Sequence, residues 1–378
     1  MPGNITKRGE NSYRLRVTIG TDFQGKPIVY SKTVKCKTEA AAKKELAKFY
    51  AECESGKVNK SNPMTISDLA DVYITEYVER HLKISARNSV KIAVNKHIKP
   101  IIGDKKVTKL KRMDVQQWVN HISDQSLAPK TVRNYYSALA GMMQFAIDMN
   151  IVDDTPCKNI RLPKGGKKEM AYYTIDEVKA LLRALDSLPS DELVYKVGIY
   201  IGLFGGLRKG EILGLNWEDI NFETGELFIV RTRMRANGTG VYEDTPKTSK
   251  SIRTVSVPME IIDMLHSLRT EQKKRKLMIG EKYADSPAVL QSALGKPLFP
   301  DVFAKWFKRF IEKNDLPPIG LHGLRHTHAS MLAGFGEDKV AVSNRLGHAQ
   351  LSTTLNIYTH LFEQADRRIA DTLSEKLL

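Results

Sequence analysis

Two short polar segments constrain what this chain of 378 residues can fold into, because neither can belong to a packed core. The first is SGKVNKSNP at residues 55–63, and the second is PKGGKK at residues 163–168. Segments rich in Gly, Pro, Ser, Asn and Lys act as linkers. The two linkers predict three domains, at residues 1–60, 64–160 and 169–378.

The first domain has the pattern of a small sheet followed by a helix. Tyr13, Leu15, Val17 and Ile19 alternate with Arg14, Arg16 and Thr18, and a second β-rich run follows from Ile28 to Val34. Thr38 then precedes apolar residues at helical spacing. We expect a three-stranded sheet whose polar face enters a major groove, with Arg14 and Arg16 as candidate DNA contacts. The alternative is a solvated polar face.

The second domain reads as entirely helical, with an amphipathic stripe from Ile66 to Tyr77 and further helices near residues 84–98, 112–122 and 129–149. A basic connector, GDKKVTKLKR, separates the second helix from the third. Helices with basic loops can hold a duplex through its phosphates. The candidate phosphate contacts are Lys105, Lys106, Lys109, Lys111, Arg112, Lys130 and Arg133.

The third domain mixes both kinds of element. Helices are predicted over residues 175–185 and 195–204 and from Arg208 onward, and strands over residues 226–232 and 253–258. The predicted fold class is therefore mainly α with small β-sheets. The C-terminal tail, residues 362–378, is amphipathic, and it docks either on a neighbouring subunit or on its own domain.

The net charge of +16 favours a polyanionic partner, with nucleic acid ahead of an anionic membrane surface. Residues 1–60 contribute +7, residues 61–165 contribute +6, and the remainder only +3. The chain has no 18-residue apolar run and no secretory signal, so we expect a cytoplasmic protein without a membrane partner. Its three cysteines are not spaced as CxxC, which disfavours a disulfide framework or a cysteine zinc site.

Four short motifs carry the candidate chemistry. They are Gly206-Leu-Arg-Lys-Gly-Glu211, Pro246-Lys-Thr248, Leu321-His-Gly-Leu-Arg-His326, and Leu346-Gly-His348 followed ten residues later by Tyr358. In this order they resemble the tyrosine recombinases, or phage integrase family, and most of all the integrases of conjugative transposons. The preceding regions are similar to that family's arm-binding and helical core-binding domains.

The resemblance implies a role for each matching residue. Tyr358 matches the nucleophile, and Glu211 matches an acidic residue that orients the site. The matching catalytic residues are Arg208, Lys247, His322, Arg325, His348 and Tyr358. Gly323 departs from the acidic residue that many members carry, without altering a catalytic group.

The chemistry of phosphodiester cleavage suits these residue types. Two guanidinium groups stabilise the charge that develops on the phosphate, so the resemblance implies neither metal nor cofactor. His322 is the candidate base for the phenol, and Lys247 the candidate acid for the departing 5′ oxygen. The covalent intermediate is a 3′-phosphotyrosine.

The resemblance also implies the partners. These are double-stranded DNA at core and arm sites and a homotetramer that exchanges strands through a Holliday junction. An excisionase and a DNA-bending protein are candidate partners. The expected place of action is the bacterial cytoplasm, with association to the nucleoid.

Three other functions remain open. His322 and His326 have the i, i+4 spacing of a zinc hydrolase, but the glutamate of HExxH is absent. His326 and His328 are either such ligands or helix-packing residues. A catalytically silent DNA-binding regulator fits the charge, and a type IB topoisomerase shares the tyrosine chemistry.

Overall fold

The structure is a computed structural model, and it divides into two compact units, residues 1–167 and 168–378. The described residues are 3–21, 27–54, 64–166, 171–236, 240–244 and 251–347. The first linker lies outside these residues, and so does part of the second. The division into three domains therefore stays a prediction.

A three-stranded antiparallel sheet opens the first unit, in the order β1 (Gly3–Gly9), β2 (Ser12–Thr21) and β3 (Pro27–Lys35). Alternation along β2 directs Leu15 and Val17 into a core against helix α1 (Glu39–Glu54), where both are fully buried. The sheet and helix were predicted. The largely exposed β1 has no apolar alternation from which its bounds could be read.

The rest of the first unit is helical. Two π-helical segments interrupt its first two helices. In order, the elements are α2 (Ile66–Tyr73), a π-helical segment (Ile74–Val78), α3 (Glu79–His81), α4 (Ile84–Ala93), a second π-helical segment (Val94–Ile98), α5 (Lys99–Ile102), α6 (Arg112–Asp124) and α7 (Pro129–Asp148). Trp118 of α6 anchors the core, because its buried indole donates a 2.6 Å hydrogen bond to the carbonyl of His97.

The second unit builds its core around one helix that is apolar on all sides. Its helices are α8 (Ile175–Asp186), α9 (Leu193–Gly205), α10 (Lys209–Gly214), α11 (Met259–Ile279), α12 (Pro300–Lys313), α13 (Leu321–Gly334) and α14 (Lys339–Leu346). In α9, Val197, Ile199, Ile201 and Leu203 are fully buried. Such a helix must be surrounded by others, and α10, α11 and α13 all pack on it.

Two small antiparallel sheets complete this unit. The first has the order β4 (Ile220–Asn221), β5 (Glu226–Ile229) and β8 (Arg253–Ser256), and the second is a hairpin of β6 (Thr232–Ala236) and β7 (Gly240–Asp244). The expectation of one strand over residues 226–232 was wrong, because the chain leaves β5 after Ile229. The mainly α fold class with small sheets is confirmed. None of the described helices is long and apolar enough to cross a membrane.

Candidate active site

The corner between α9 and α10 places the first site residues. Gly206 ends α9 with a φ of 64°, in the left-handed region that favours glycine. A Cβ there would lie 2.6 Å from Cδ2 of His328 and 2.9 Å from Cδ2 of Leu346. The turn brings Arg208 to the N-cap of α10.

We expect Gly206→Ala to destabilise the protein by roughly 2–5 kcal/mol, because it adds left-handed strain to overpacking. Urea denaturation would measure the loss. Gly336→Ala is the matched control, since Gly336 has a φ of 84° but no atom within 4 Å of a Cβ. If both variants lose the same stability, close packing at Gly206 does not matter.

Glu211 lies at the centre of the site, with only 1% of its surface exposed. Its Oε1 accepts a 2.7 Å hydrogen bond from Nη1 of Arg208, and its Oε2 accepts a 2.9 Å bond from Nη2 of Arg253. Burial alone would raise the pKa of Glu211, but the hydrogen bonds and charges of the two arginines lower it below the ordinary value. Glu211 is therefore a carboxylate at neutral pH.

Arg325 comes from α13 and is almost wholly buried, at 2% exposure. Its Nη1 donates to the carbonyl of Gly206 at 2.9 Å, and its Nη2 donates to the carbonyl of Leu346 at 2.5 Å. Nη1 also lies 3.9 Å from Oε2 of Glu211. Burial and the charge of Arg208 lower the pKa of Arg325 to about 9, so its guanidinium stays positive at neutral pH.

His322 lies one helical turn before Arg325 on α13, and it is exposed to solvent. Partial desolvation, followed by the charges of Arg325 and Arg208, lowers the pKa of its imidazole. The ring is therefore neutral near pH 7 and can accept a proton. It meets the ring of His326 edge-on, with the centroids 4.6 Å apart.

His328 supports the fold of the site. Its Nδ1 bonds the carbonyl of Leu203 at 2.8 Å, and its Nε2 lies 3.2 Å from Nε of Arg345. The arginine must donate, so the Nε2 of His328 accepts and its Nδ1 carries the proton. Burial lowers the pKa of His328 to about 4, which keeps the ring neutral. Both of its nitrogens are thus engaged with the protein.

Two arginines of this site are not among the residues predicted from the sequence. Arg253 begins β8 and Arg345 lies in α14, and their side chains reach partners far along the chain. Arg345 also donates to the carbonyls of Phe204 and Ser256, at 3.0 and 2.8 Å. An isolated arginine resembles a surface residue in sequence, and these contacts are all non-local.

Three of the predicted catalytic residues, Lys247, His348 and Tyr358, lie outside the described residues, as does the tail from Phe362 to Leu378. Along the sequence, Lys247 falls between β7 and β8, and His348 directly follows Gly347. The carbonyl of Gly347 accepts a 3.2 Å hydrogen bond from Nη2 of Arg208. The structure thus brings together Arg208, Glu211, His322 and Arg325.

The predicted DNA contacts all have exposed side chains in the first unit. Arg14 and Arg16 project from the face of β2 opposite α1. Lys105 pairs with Asp114 at 2.7 Å, and Nη2 of Arg133 donates to the carbonyl of Pro163 at 2.9 Å. The remaining candidates are Lys106, Lys109, Lys111, Arg112 and Lys130. Contact with DNA stays a prediction for all nine.

The described part of the site is an anion-binding arrangement. The guanidinium groups of Arg208, Arg253 and Arg325 surround one carboxylate, which leaves an excess of positive charge beside a neutral imidazole. Fixed cations of this kind bind a phosphate and stabilise additional charge on its oxygens. A proton acceptor adjacent to them suits cleavage of a phosphate ester.

Comparisons with known proteins give matches in both units of the chain. The model described as the phage integrase family matches residues 172–365, and that described as the phage integrase N-terminal SAM-like domain matches residues 65–123. The ICEBs1 integrase of Bacillus subtilis (strain 168) is 27% identical, over 99% of this chain and 100% of that protein.

Two solved structures have a similar fold. The Tn1549 transposon integrase in complex with transposon right end DNA superposes with a TM-score of 0.68 at 20% identity, over 82% of this chain and 100% of that one. The lambda integrase tetramer bound to a Holliday junction gives a TM-score of 0.56 at 18% identity, over 93% of this chain and 96% of that one.

Proposed function

The chain belongs to the phage integrase family, and we propose that it cleaves and rejoins duplex DNA through a 3′-phosphotyrosine formed by Tyr358. It is a tyrosine site-specific recombinase that serves the integration and excision of a mobile element. The observation that carries the proposed chemistry is the convergence of Arg208 and Arg325 on Glu211.

The two arginines supply what the transition state needs. The phosphodiester is an anion, and attack by a phenolate oxygen adds charge to its non-bridging oxygens. Arg208 and Arg325 are positive at neutral pH and held by Glu211 and backbone carbonyls, so they meet this charge without reorganising. Glu211 orients both arginines through its contacts with their guanidinium groups and does not itself contact the phosphate.

The reaction needs no external energy source, because one phosphorus–oxygen bond forms as another breaks. The Tyr358 oxygen forms a bond to phosphorus and gives its proton to His322, while the bond from phosphorus to the 5′ oxygen breaks. Lys247 donates a proton to that departing oxygen, and His348 hydrogen-bonds a non-bridging oxygen. Attack by a 5′-hydroxyl from a partner duplex reverses these steps and rejoins the strands.

The proposed partners follow from the family and from the distribution of charge. The helical domain and the catalytic domain bind the core site, and the N-terminal sheet binds separate arm sites. A homotetramer on two duplexes exchanges the strands through a Holliday junction, as the lambda integrase tetramer is bound to such a junction. An excisionase and a DNA-bending protein are proposed accessory partners, and the proposed location is the bacterial nucleoid.

Covalent capture tests this function directly. The protein would be incubated with a supercoiled plasmid that carries the joined ends of the DNA flanking its gene, with and without a chelator. Denaturation should then reveal DNA covalently linked to protein in both samples, together with recombined plasmid. Absence of an adduct would favour a silent regulator, loss with chelator a zinc hydrolase, and relaxation without recombination a type IB topoisomerase.

Arg14→Ala should weaken arm-site binding and spare core cleavage, because Arg14 lies on the exposed face of the N-terminal sheet. A base contact of this kind contributes about 1–3 kcal/mol to the free energy of binding. Loss of a phosphate contact instead reduces the slope of log affinity against log salt concentration by about 1. Titration of arm and core duplexes at several salt concentrations would measure both effects. Lys43→Ala, which removes a charge from α1, is the control. Equal losses at arm and core sites would contradict the assignment.

A further inference from the structure

Arg253 has a buried guanidinium group that is used entirely within the protein. Its side chain is 7% exposed, whereas that of Arg208 is 35% exposed. Nε of Arg253 donates to the carbonyl of Arg345 at 2.7 Å, and its Nη1 donates to the carbonyl of Ser251 at 3.2 Å. With Nη2 on Glu211, every nitrogen of this guanidinium has a protein acceptor. These contacts connect Arg253 to the Glu211 carboxylate and to the carbonyls of Ser251 and Arg345.

The last turn of α14 depends on the same group of arginines. Three consecutive carbonyls, those of Arg345, Leu346 and Gly347, accept hydrogen bonds from Arg253, Arg325 and Arg208 respectively. The final carbonyls of a helix have no partner within the helix, and cations stabilise that end. The three arginines therefore fix the segment that leads directly into His348.

A reciprocal contact binds α14 to β8. Arg253, at the start of β8, donates to the backbone of Arg345, while the side chain of Arg345 donates to the carbonyl of Ser256 at the end of β8. The strand and the helix end therefore hold each other at two points. Loss of Arg253 would therefore remove one of these two contacts between α14 and β8, and it would also remove one charged partner of Glu211.

We propose that Arg253 is a positioning residue for strand cleavage, which holds the Glu211 carboxylate and the last turn of α14 so that Arg208 and Arg325 meet the phosphate correctly. This inference rests on the proposed function. Glu211 contacts Arg208 and Arg253, and the carbonyls at the end of α14 accept hydrogen bonds from all three arginines. The experiment measures the effect of these contacts on cleavage.

The test compares Arg253→Met with Arg253→Lys in single-turnover adduct formation on the joined-end duplex. Residues that orient metal ligands typically contribute about 10- to 100-fold to activity, and we expect a rate loss of similar size for Arg253→Met at saturating DNA. The dissociation constant for DNA should stay within a few-fold of the parent. Arg253→Lys keeps the charge beside Glu211 and should recover part of the rate.

The pH dependence separates positioning from a merely structural role. Glu211 is faced by Arg208, Arg253, Arg325 and His322, and burial opposes its ionisation. Without the charge of Arg253, the pKa of Glu211 rises, so the carboxylate gains its proton at a higher pH. The acid limb of the rate profile should therefore move to higher pH in Arg253→Met and stay closer to the parent in Arg253→Lys.

Arg231→Met supplies the matched control, because Arg231 is a partly buried arginine paired with the buried carboxylate of Asp219. It should lose stability without losing adduct rate per folded molecule. The inference is overturned if Arg253→Met cleaves like the parent, if its loss is only in DNA affinity, or if Arg231→Met loses as much rate. Failure of the parent protein itself to form an adduct would instead overturn the proposed function.

Discussion

Tyr358→Phe should bind DNA with an affinity within a few-fold of the parent and form no covalent adduct at all. The substitution removes one oxygen, the only atom of this side chain that can bond to phosphorus. The arginines proposed to bind the phosphate are left in place. Gel-shift titration would measure binding, and denaturing electrophoresis of end-labelled duplex would measure the adduct.

Tyr172→Phe is the control for this experiment, since Tyr172 belongs to the same unit and its side chain is 40% exposed. It should cleave at the parental rate. Normal adduct formation by Tyr358→Phe would show that another residue is the nucleophile. Loss of DNA binding in that variant would mean that the phenol contributes to affinity, contrary to the role that we assign to it.

Arg325→Lys should slow cleavage by about 10²–10³-fold, the usual effect of losing one fixed donor to a developing oxyanion. A lysine keeps the charge, but its single ammonium cannot reproduce the planar fork that bonds the carbonyls of Gly206 and Leu346. A carbonyl left buried without a donor costs about 1–3 kcal/mol, so a lower melting temperature should accompany the slower cleavage. Single-turnover rates at saturating DNA and thermal unfolding would measure the two effects.

Arg183→Lys makes the same change on the exposed face of α8 and should alter neither quantity. Comparison at a temperature where both variants are folded separates rate from stability. If Arg325→Lys retains the parental rate, the planar guanidinium is not needed at the phosphate, and the role proposed for Arg325 is wrong.

The parts of this site that could be predicted are those that local sequence determines. The GLRKGE motif gives a glycine turn followed by an N-cap and an acidic residue three positions later, and the structure has this capping arrangement between Arg208 and Glu211. His322 and Arg325 are three residues apart, which places them on one face of a helix. Local spacing therefore predicts that Arg208 lies beside Glu211 and that His322 and Arg325 share a helix face. Only the family resemblance predicts that these two pairs lie in one site.

The parts that could not be predicted depend on contacts across the chain. Arg253 and Glu211 are 42 residues apart, and nothing in their surrounding sequences links them. The positions of β6 and β7 were not predicted, because Arg233 reverses the usual pattern: it is buried and donates a 2.5 Å hydrogen bond to the carbonyl of Leu213. The first π-helical segment was missed because α-helical spacing from the buried Tyr73 points to Tyr77, whereas the wider π turn buries Val78 and leaves Tyr77 39% exposed.

The crowding of Arg208, Arg253 and Arg325 around one carboxylate has a consequence for the protein before it meets its substrate. Three cations and one anion among these described groups leave positive charge uncompensated within the group, and like charges held close together oppose the folded state. In the proposed reaction, the scissile phosphate supplies a further negative charge to them. We therefore expect DNA to be both the molecule that is cut and a ligand that reduces the repulsion within the domain.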